Sequence, residues 1–163
     1  MAPTRSTPAA QLAAFIGRFE PSIAATIRGA RAKLRRRFPT AVELVYDNYN
    51  FFVIGYCATP RASDCVVSLA ASAKGVALSF YYGAGLPDPS GVLLGSGRQN
   101  RFVRLTSPTT LDDPAVRALI DAAVGVARTP LAPTGRGKLV IQSVSVKRRP
   151  RQLSSGRPRA RDA

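Results

Sequence analysis

The fold is decided by residues 41–82, which read AVELVYDNYNFFVIGYCATPRASDCVVSLAASAKGVALSFYY. Four runs in this stretch are rich in β-branched and aromatic residues and are separated by short turn sequences, which is the pattern of consecutive hairpins. The turn residues include Asp47-Asn48 and Lys74-Gly75. The pattern predicts an antiparallel meander, with strands at Ala41–Tyr46, Phe51–Cys57, Cys65–Ala71 and Val76–Tyr82.

Helical patterns precede the meander. Thr7-Pro8 is a cap residue followed by a proline at the first helical position. Apolar residues then recur at helical spacing as far as Phe19, and a second helix runs from Pro21 to the residue before Pro39. The N-terminal part of the chain is therefore predicted to contribute two helices.

The same signals continue after the meander. Arg101–Thr106 is a fifth strand candidate, and Asp113-Pro114 begins a helix whose apolar stripe ends at Ala127. Leu139–Val146 predicts a late strand that joins a sheet edge. Together these elements predict an α+β fold in which N- and C-terminal helices pack on an antiparallel sheet of about five or six strands.

The two ends of the chain differ from the middle. Residues 1–7 predict a flexible N-terminus, and residues 129–146 predict an extension that carries the late strand. Residues 147–163 contain seven basic residues among Pro, Ser and Gly, and such a segment cannot build a core. It is predicted to be a basic disordered tail.

Charge and cysteine content narrow the classes of function. The 24 Lys and Arg against 9 Asp and Glu give a net charge of +15, which attracts polyanions. The sequence has no run of about 20 apolar residues and no signal-peptide pattern, so a cytoplasmic protein without membrane attachment is expected. Cys57 and Cys65 are predicted to be reduced and buried, although a hairpin between them would allow a redox pair.

Enzyme chemistry has no candidate residues. The sequence lacks histidine, so it offers no imidazole base. No pair of acids has the spacing of a catalytic dyad, and two thiols without histidine make a poor metal site. The sequence therefore predicts a protein that is not an enzyme and that holds no cofactor or metal.

A family resemblance is carried by residues 83–105, which read GAGLPDPSGVLLGSGRQNRFVRL. The leucine pair, the Gly-x-Gly-Arg turn and the strand that begins with a basic residue resemble the YdhG-like family, a bacterial domain family of unknown function. Asp112–Ala127 resembles the acid-capped helix that follows in that family, and Tyr46–Phe52 resembles its hairpin. The resemblance covers roughly residues 8–128.

The resemblance implies a two-layer α/β domain with a frataxin-like outline. Some relatives are proposed to be iron chaperones, and frataxin-type iron handling relies on clusters of exposed acids. This chain has nine acids in all and a basic second helix. An iron chaperone is therefore an alternative by resemblance alone.

Two segments are candidates for a ligand site. The loop from Gly83 to Asn100 is long for a compact domain, and such loops are usually functional or mobile. Its backbone amides and the cations that follow could cradle an anion, through Gly95, Gly97, Arg98, Arg101 and Arg104. The simpler alternative is that the glycines only shape turns.

The second candidate is the hairpin sequence at the end of the first strand. It could line a pocket for a small polar ligand, or it could be an ordinary hydrogen-bonded turn, with Tyr46, Asp47, Asn48 and Tyr49. Tyr81-Tyr82 is expected to lie nearby. These segments predict a small binding module for an anionic or polar ligand at a shared end of the sheet.

Nucleic acid is the alternative partner. No acid lies between Glu20 and Glu43 to neutralise the second helix. Together with the tail, this helix could contact phosphates through Arg28, Lys33, Arg35, Arg36, Lys147, Arg148, Arg149 and Arg151. A solvated basic surface is the simpler alternative.

Overall fold

The structure is a computed structural model that describes residues 5–153. Within these residues the chain forms three α-helices and six strands. The helices are α1 Pro8–Ile16, α2 Pro21–Arg37 and α3 Pro114–Gly125. The strands are β1 Val42–Asp47, β2 Phe52–Cys57, β3 Cys65–Ser72, β4 Gly75–Phe80, β5 Arg101–Leu105 and β6 Lys138–Val144.

The predicted helix starts are confirmed by their caps. The Thr7 hydroxyl accepts a hydrogen bond from the Ala10 amide at 3.1 Å. The Asp113 carboxylate accepts one from the Ala115 amide at 2.9 Å. Each cap satisfies one of the amides that a helix N-terminus leaves without a partner, so α1 and α3 begin where the sequence places them.

The strands form a single sheet in the order β5-β4-β3-β2-β1-β6. β1 to β5 pair antiparallel with their neighbours in sequence, which confirms the meander and the α+β class. β6 joins a sheet edge as predicted, next to β1, but it runs parallel to β1, so the sheet is mixed. This orientation requires a long return connection, which α3 and residues 126–137 provide.

The core lies between one face of the sheet and the three helices. The register aligns five buried side chains in a row across β1 to β5: Val45, Ile54, Leu69, Leu78 and Val103. Because side chains alternate along a strand, their neighbours point to the other side of the sheet, here called the outer face. One of its rows is Val53, Ala70, Ala77 and Arg104. These four side chains are partly or fully exposed, so the domain has two layers and an open sheet face.

The C-terminal segment packs against the hairpin between β1 and β2. The Arg149 amide donates to the Tyr49 carbonyl at 2.8 Å, and Arg151 is only 5% exposed. The prediction of a disordered tail from residue 147 onwards is therefore wrong for residues 147–153, because Arg148 and Arg151 meet Asp47, an acid distant in sequence. Residues 154–163 of the predicted tail, and residues 1–4, lie outside the described residues.

The two cysteines are bonded in a disulfide, so the prediction of reduced thiols is wrong for this structure. Cys57 and Cys65 face each other where β2 pairs with β3. Gly55 leaves room for the sulfurs, since a Cβ at that position would lie 2.7 Å from the Cys65 Sγ. Disulfides are typical of oxidising compartments, so this bond does not favour the expected cytoplasmic location. No helix within residues 5–153 is long and apolar enough to cross a membrane.

Candidate anion-binding groove

The two segments predicted to share a site lie at opposite ends of the sheet. Asp47 at the end of β1 is level with Leu105 at the end of β5, through the pairings of the strands between them. The loop from Gly83 to Asn100 instead joins the end of β4 to the start of β5. Tyr82 follows β4 to that far end, where its hydroxyl donates to the Ser63 carbonyl at 3.2 Å. The predicted shared end is therefore wrong.

Asp47 forms the centre of a buried ion cluster. Its side chain is 2% exposed and accepts hydrogen bonds from Arg18 at 3.4 Å, from Arg151 at 2.9 Å and from Arg148. Arg151 also donates to the carbonyls of Asn48 at 2.6 Å and Asn50 at 3.2 Å. Asp47 and Asn48 therefore anchor the C-terminal segment, and their predicted role as ligand contacts is not supported by this geometry.

The two tyrosines of the hairpin lie in different surroundings. Tyr46 is half-buried, and burial raises the pKa of its hydroxyl. Tyr49 is 49% exposed, and the Arg149 guanidinium lies 5.6 Å from the centre of its ring. Tyr49 is thus the member of this predicted set that remains open to solvent.

The glycine-rich loop is held by its own contacts. The Asp88 carboxylate accepts hydrogen bonds from the amides of Val92 and Leu93, both at 3.0 Å. Gly91 and Gly95 have φ angles of +65° and +110°, a region that favours glycine. Gly95 therefore shapes a turn, which is the simpler alternative given above for the glycines of this loop.

The cations around this loop differ in their freedom. The Arg101 guanidinium donates to the carbonyls of Gly97 and Asn100, so it closes the loop on itself. Arg98 is exposed. Arg104 is exposed on the outer face of β5, with its guanidinium 5.7 Å from the centre of the Phe102 ring.

A groove of about 1290 Å³ runs over the outer face and around the β3–β4 turn as far as the first turns of α2, where Ser22, Ile23 and Thr26 line it. Its cations come from three separate elements: Lys74 from the turn, Arg104 from β5 and Arg149 from the C-terminal segment. Phe51 and Phe102 contribute aromatic surface, and no acid lines the groove. The small side chains between the two rings are Ala70, Ala77 and Ser79.

The groove unites one residue from each predicted set. Arg104 belongs to the predicted anion cradle, and Arg149 belongs to the predicted nucleic-acid surface. Phe51, Phe102 and Lys74 were not predicted as site residues, because they come together only when the strands pair. The available signal was the alternation of Ala and Ser with buried residues in β3 and β4, which marks a face of the sheet without large side chains.

Four of the six cations of the second helix are paired with acids. Arg31 donates two hydrogen bonds of 2.9 Å to Glu43, which also accepts from the Tyr56 hydroxyl at 3.1 Å. The second helix makes further ion pairs with three acids: Arg35 with Glu43 at 3.6 Å, Lys33 with Asp112 at 2.7 Å and Arg37 with Asp121 at 2.8 Å. The expectation that no acid compensates this helix is wrong, because the acids come from β1 and from the region of α3.

The remaining cations of the predicted nucleic-acid set are distributed as follows. Arg28, Arg36 and Lys147 are exposed. Arg148 and Arg151 are committed to Asp47. Three of the eight residues therefore stay open without an ion pair in the described part of the chain, in addition to Arg149 in the groove.

No group of three potential metal ligands (His, Cys, Asp or Glu) occurs within residues 5–153. The described residues thus add no support to the iron-chaperone alternative. Comparisons with protein families, with curated proteins and with solved structures found no match to this chain.

Proposed function

We propose that this chain is a small binding module for an anionic ligand that also carries apolar surface, and that the ligand lies in the outer-face groove. The observation that carries the proposal is the convergence of Lys74, Arg104 and Arg149 on one groove that no acid lines. The resemblance to the YdhG-like family and the cytoplasmic location remain part of this proposal, as does the absence of catalysis.

The cations of the groove differ from those of the second helix in whether they are paired with acids. Most cations of the second helix are paired with acids, whereas Lys74, Arg104 and Arg149 form no ion pair with any described residue. An anion in the groove would gain charge-assisted hydrogen bonds without breaking an existing pair. This makes the groove a better anion site than the surface of the second helix.

The aromatic surface of the groove comes from Phe51 and Phe102. Phe51 is 50% exposed, and both rings line the groove. Exposed aromatic side chains beside a few polar groups are typical of small-molecule sites. A ligand that combines a ring with an anionic group would therefore use more of the groove than inorganic phosphate would.

The test is thermal unfolding of the full chain with inorganic phosphate, pyrophosphate, aromatic carboxylates and nucleoside monophosphates. A ligand present at 100 times its Kd stabilises the folded state by about 2.7 kcal/mol. That raises the Tm of a domain this size by about 5–10 °C. We expect the ring-bearing anions to give the largest shift.

Matched variants locate the site. Arg104→Ala and Arg149→Ala should reduce the shift, whereas Arg117→Ala, an exposed position on α3, should leave it unchanged. Loss of the shift in Arg98→Ala alone would assign binding to the glycine-rich loop instead. If no compound raises the Tm at low salt, the groove is not a small-anion site.

A further inference from the structure

The outer face carries the parts of a platform for single-stranded nucleic acid. We infer that the occupant of the groove is a single-stranded DNA or RNA segment, with bases stacked on Phe51 and Phe102 and phosphates near Lys74, Arg104 and Arg149. This inference rests on the proposed function and names the chemical class of its ligand.

Two aromatic rings of the groove, Phe51 and Phe102, could stack with unpaired bases. Phe51 directly precedes the buried Phe52, so alternation places its side chain on the outer face, where it is 50% exposed. Phe102 lies on the same face of β5 and is partly exposed. Aromatic rings on an open sheet face are used to stack unpaired bases, and such stacking tolerates any base.

The spacing of the rings suits an extended strand. Phe51 precedes β2 and Phe102 lies in β5, so three strand spacings of about 4.8 Å separate them across the sheet. The register places Phe102 level with Gly55, four residues beyond Phe51, which adds about 13 Å along the strands. The rings are therefore too far apart to hold one base between them, and they suit successive parts of a polymer.

The side chains between the rings are small. Ala70, Ala77 and Ser79 are the groove residues that β3 and β4 place there, and none of them projects a long side chain. A chain of sugars and bases can cross such a floor diagonally. A duplex would instead need an element that enters its grooves, and the basic α2 is largely paired with acids.

The cations lie at the two ends of this path, with Lys74 and Arg149 at the Phe51 end and Arg104 at the Phe102 end. Lys74 lies at the β3–β4 turn, Arg149 beside the Phe51 end and Arg104 beside Phe102, with its guanidinium 5.7 Å from the ring centre. Three phosphate contacts on a single strand give a slope of about −2 for log K against log salt concentration. The absence of any acid among the residues that line the groove is the charge complementarity that a polyanion requires.

The experiment measures fluorescence anisotropy of a labelled 12-nucleotide oligothymidine and its RNA counterpart with the full chain, between 50 and 200 mM salt. We expect binding with a slope near −2 and weaker binding of a duplex of the same length. Arg104→Ala should flatten the slope by about 0.7. Arg117→Ala should change nothing.

Two further variants test whether bases stack on Phe51 and Phe102. Phe51→Ala removes an exposed ring, and Phe102→Leu keeps apolar volume where the ring is partly buried, so folding is preserved. Each should weaken binding by about 5- to 150-fold, the range that base stacking on an aromatic ring gives. An oligonucleotide with abasic sites should bind with the affinity of these variants.

The outcomes separate this inference from the proposed function. If small ring-bearing anions raise the Tm through Arg104 but the oligonucleotides do not bind at 50 mM salt, the groove is a small-molecule site and the inference is wrong. Oligonucleotide binding that the Phe51 and Phe102 variants leave unchanged also overturns it, since the contact would then lie elsewhere. If neither class of ligand binds, both proposals fail.

Discussion

Replacing Arg151 tests whether the C-terminal segment is part of the folded domain. The side chain is 5% exposed and donates to three acceptors: the Asp47 carboxylate and the carbonyls of Asn48 and Asn50. In Arg151→Met, the buried Asp47 loses one of its cations but keeps Arg148 and Arg18.

The expected cost can be estimated from this arrangement. Removing one partner of a buried ion pair costs about 3–5 kcal/mol, because the other charge stays buried without compensation. Since two arginines remain on Asp47, the lower end of the range applies, and Arg151→Met should lose about 3 kcal/mol. This corresponds to a fall in Tm of about 6–12 °C for a domain of this size.

The assay is urea unfolding of the full chain followed by circular dichroism. The matched control is Arg149→Met, an exposed position two residues away, which should change the free energy of unfolding by no more than about 0.5 kcal/mol. A double-mutant cycle with Asp47→Asn should give a coupling energy of about 1–3 kcal/mol. If Arg151→Met costs no more than the control, the ion cluster does not hold the segment and the reasoning is refuted.

Three further predictions concern the core and the caps. Gly55→Ala should cost about 1–3 kcal/mol in the oxidised protein, since the new Cβ would lie 2.7 Å from the Cys65 Sγ; urea unfolding should show a smaller cost after reduction, and an equal cost in both forms would point to another cause. Burial, followed by the charge of Glu43, raises the pKa of Tyr56 well above its usual value. Above about pH 10 the folded state therefore keeps the Tyr56 hydroxyl proton while the unfolded state loses it. The contribution of Tyr56 to stability is full below about pH 10, and above that pH the free energy of unfolding falls by up to about 1.4 kcal/mol per pH unit. Tyr56→Phe should remove that component of the slope between pH 8 and 11, and a parallel decline in both proteins would argue against it. Asp113→Ala should lose about 0.5–2 kcal/mol in thermal unfolding and Asp113→Ser much less; equal losses would show that capping is not its role.

The order and type of the elements could be predicted because their signals are local. Thr7 and Asp113 cap the helices whose starts they mark, and turn residues separate the strands of the meander. The parallel direction of β6 has no such signal, because it depends on how the chain returns after α3. The element was predicted at the sheet edge, but its direction required the tertiary structure.

The prediction of a shared site was wrong because it did not take the direction of the strands into account. Each hairpin reverses the chain, so the first and fourth strands of a meander run in opposite directions and their C-terminal ends lie at opposite ends of the sheet. The end of β1 at Asp47 therefore lies far from Tyr82, which follows β4. Counting the reversals would have separated the two segments from sequence alone.

The ion-pair partners of the charged side chains could not be predicted from the sequence. Arg31 meets Glu43 across 12 residues, Lys33 meets Asp112 across 79, and Arg151 meets Asp47 across 104. Pairs at such separations depend on how α2 and the C-terminal segment dock. A helix that is basic in sequence is for this reason a weak indicator of a basic surface.

The positions of the acids explain why the cations of the groove are not neutralised. Eight of the nine acids lie within residues 5–153, and seven of these bind a cation, a hydroxyl or a backbone amide: Glu43, Asp47, Asp64, Asp88, Asp112, Asp113 and Asp121. Five of the seven join different elements or segments, whereas Asp113 caps its own helix and Asp88 binds amides of its own loop. None of the eight lines the outer-face groove. The scarce negative charges are used to hold the helix layer, the loops and the C-terminal segment together, so none of them pairs with Lys74, Arg104 or Arg149 in the groove. A polyanion in the outer-face groove would therefore meet no repelling carboxylate among the lining residues, and the exposed Phe51 and the partly exposed Phe102 lie in the same groove.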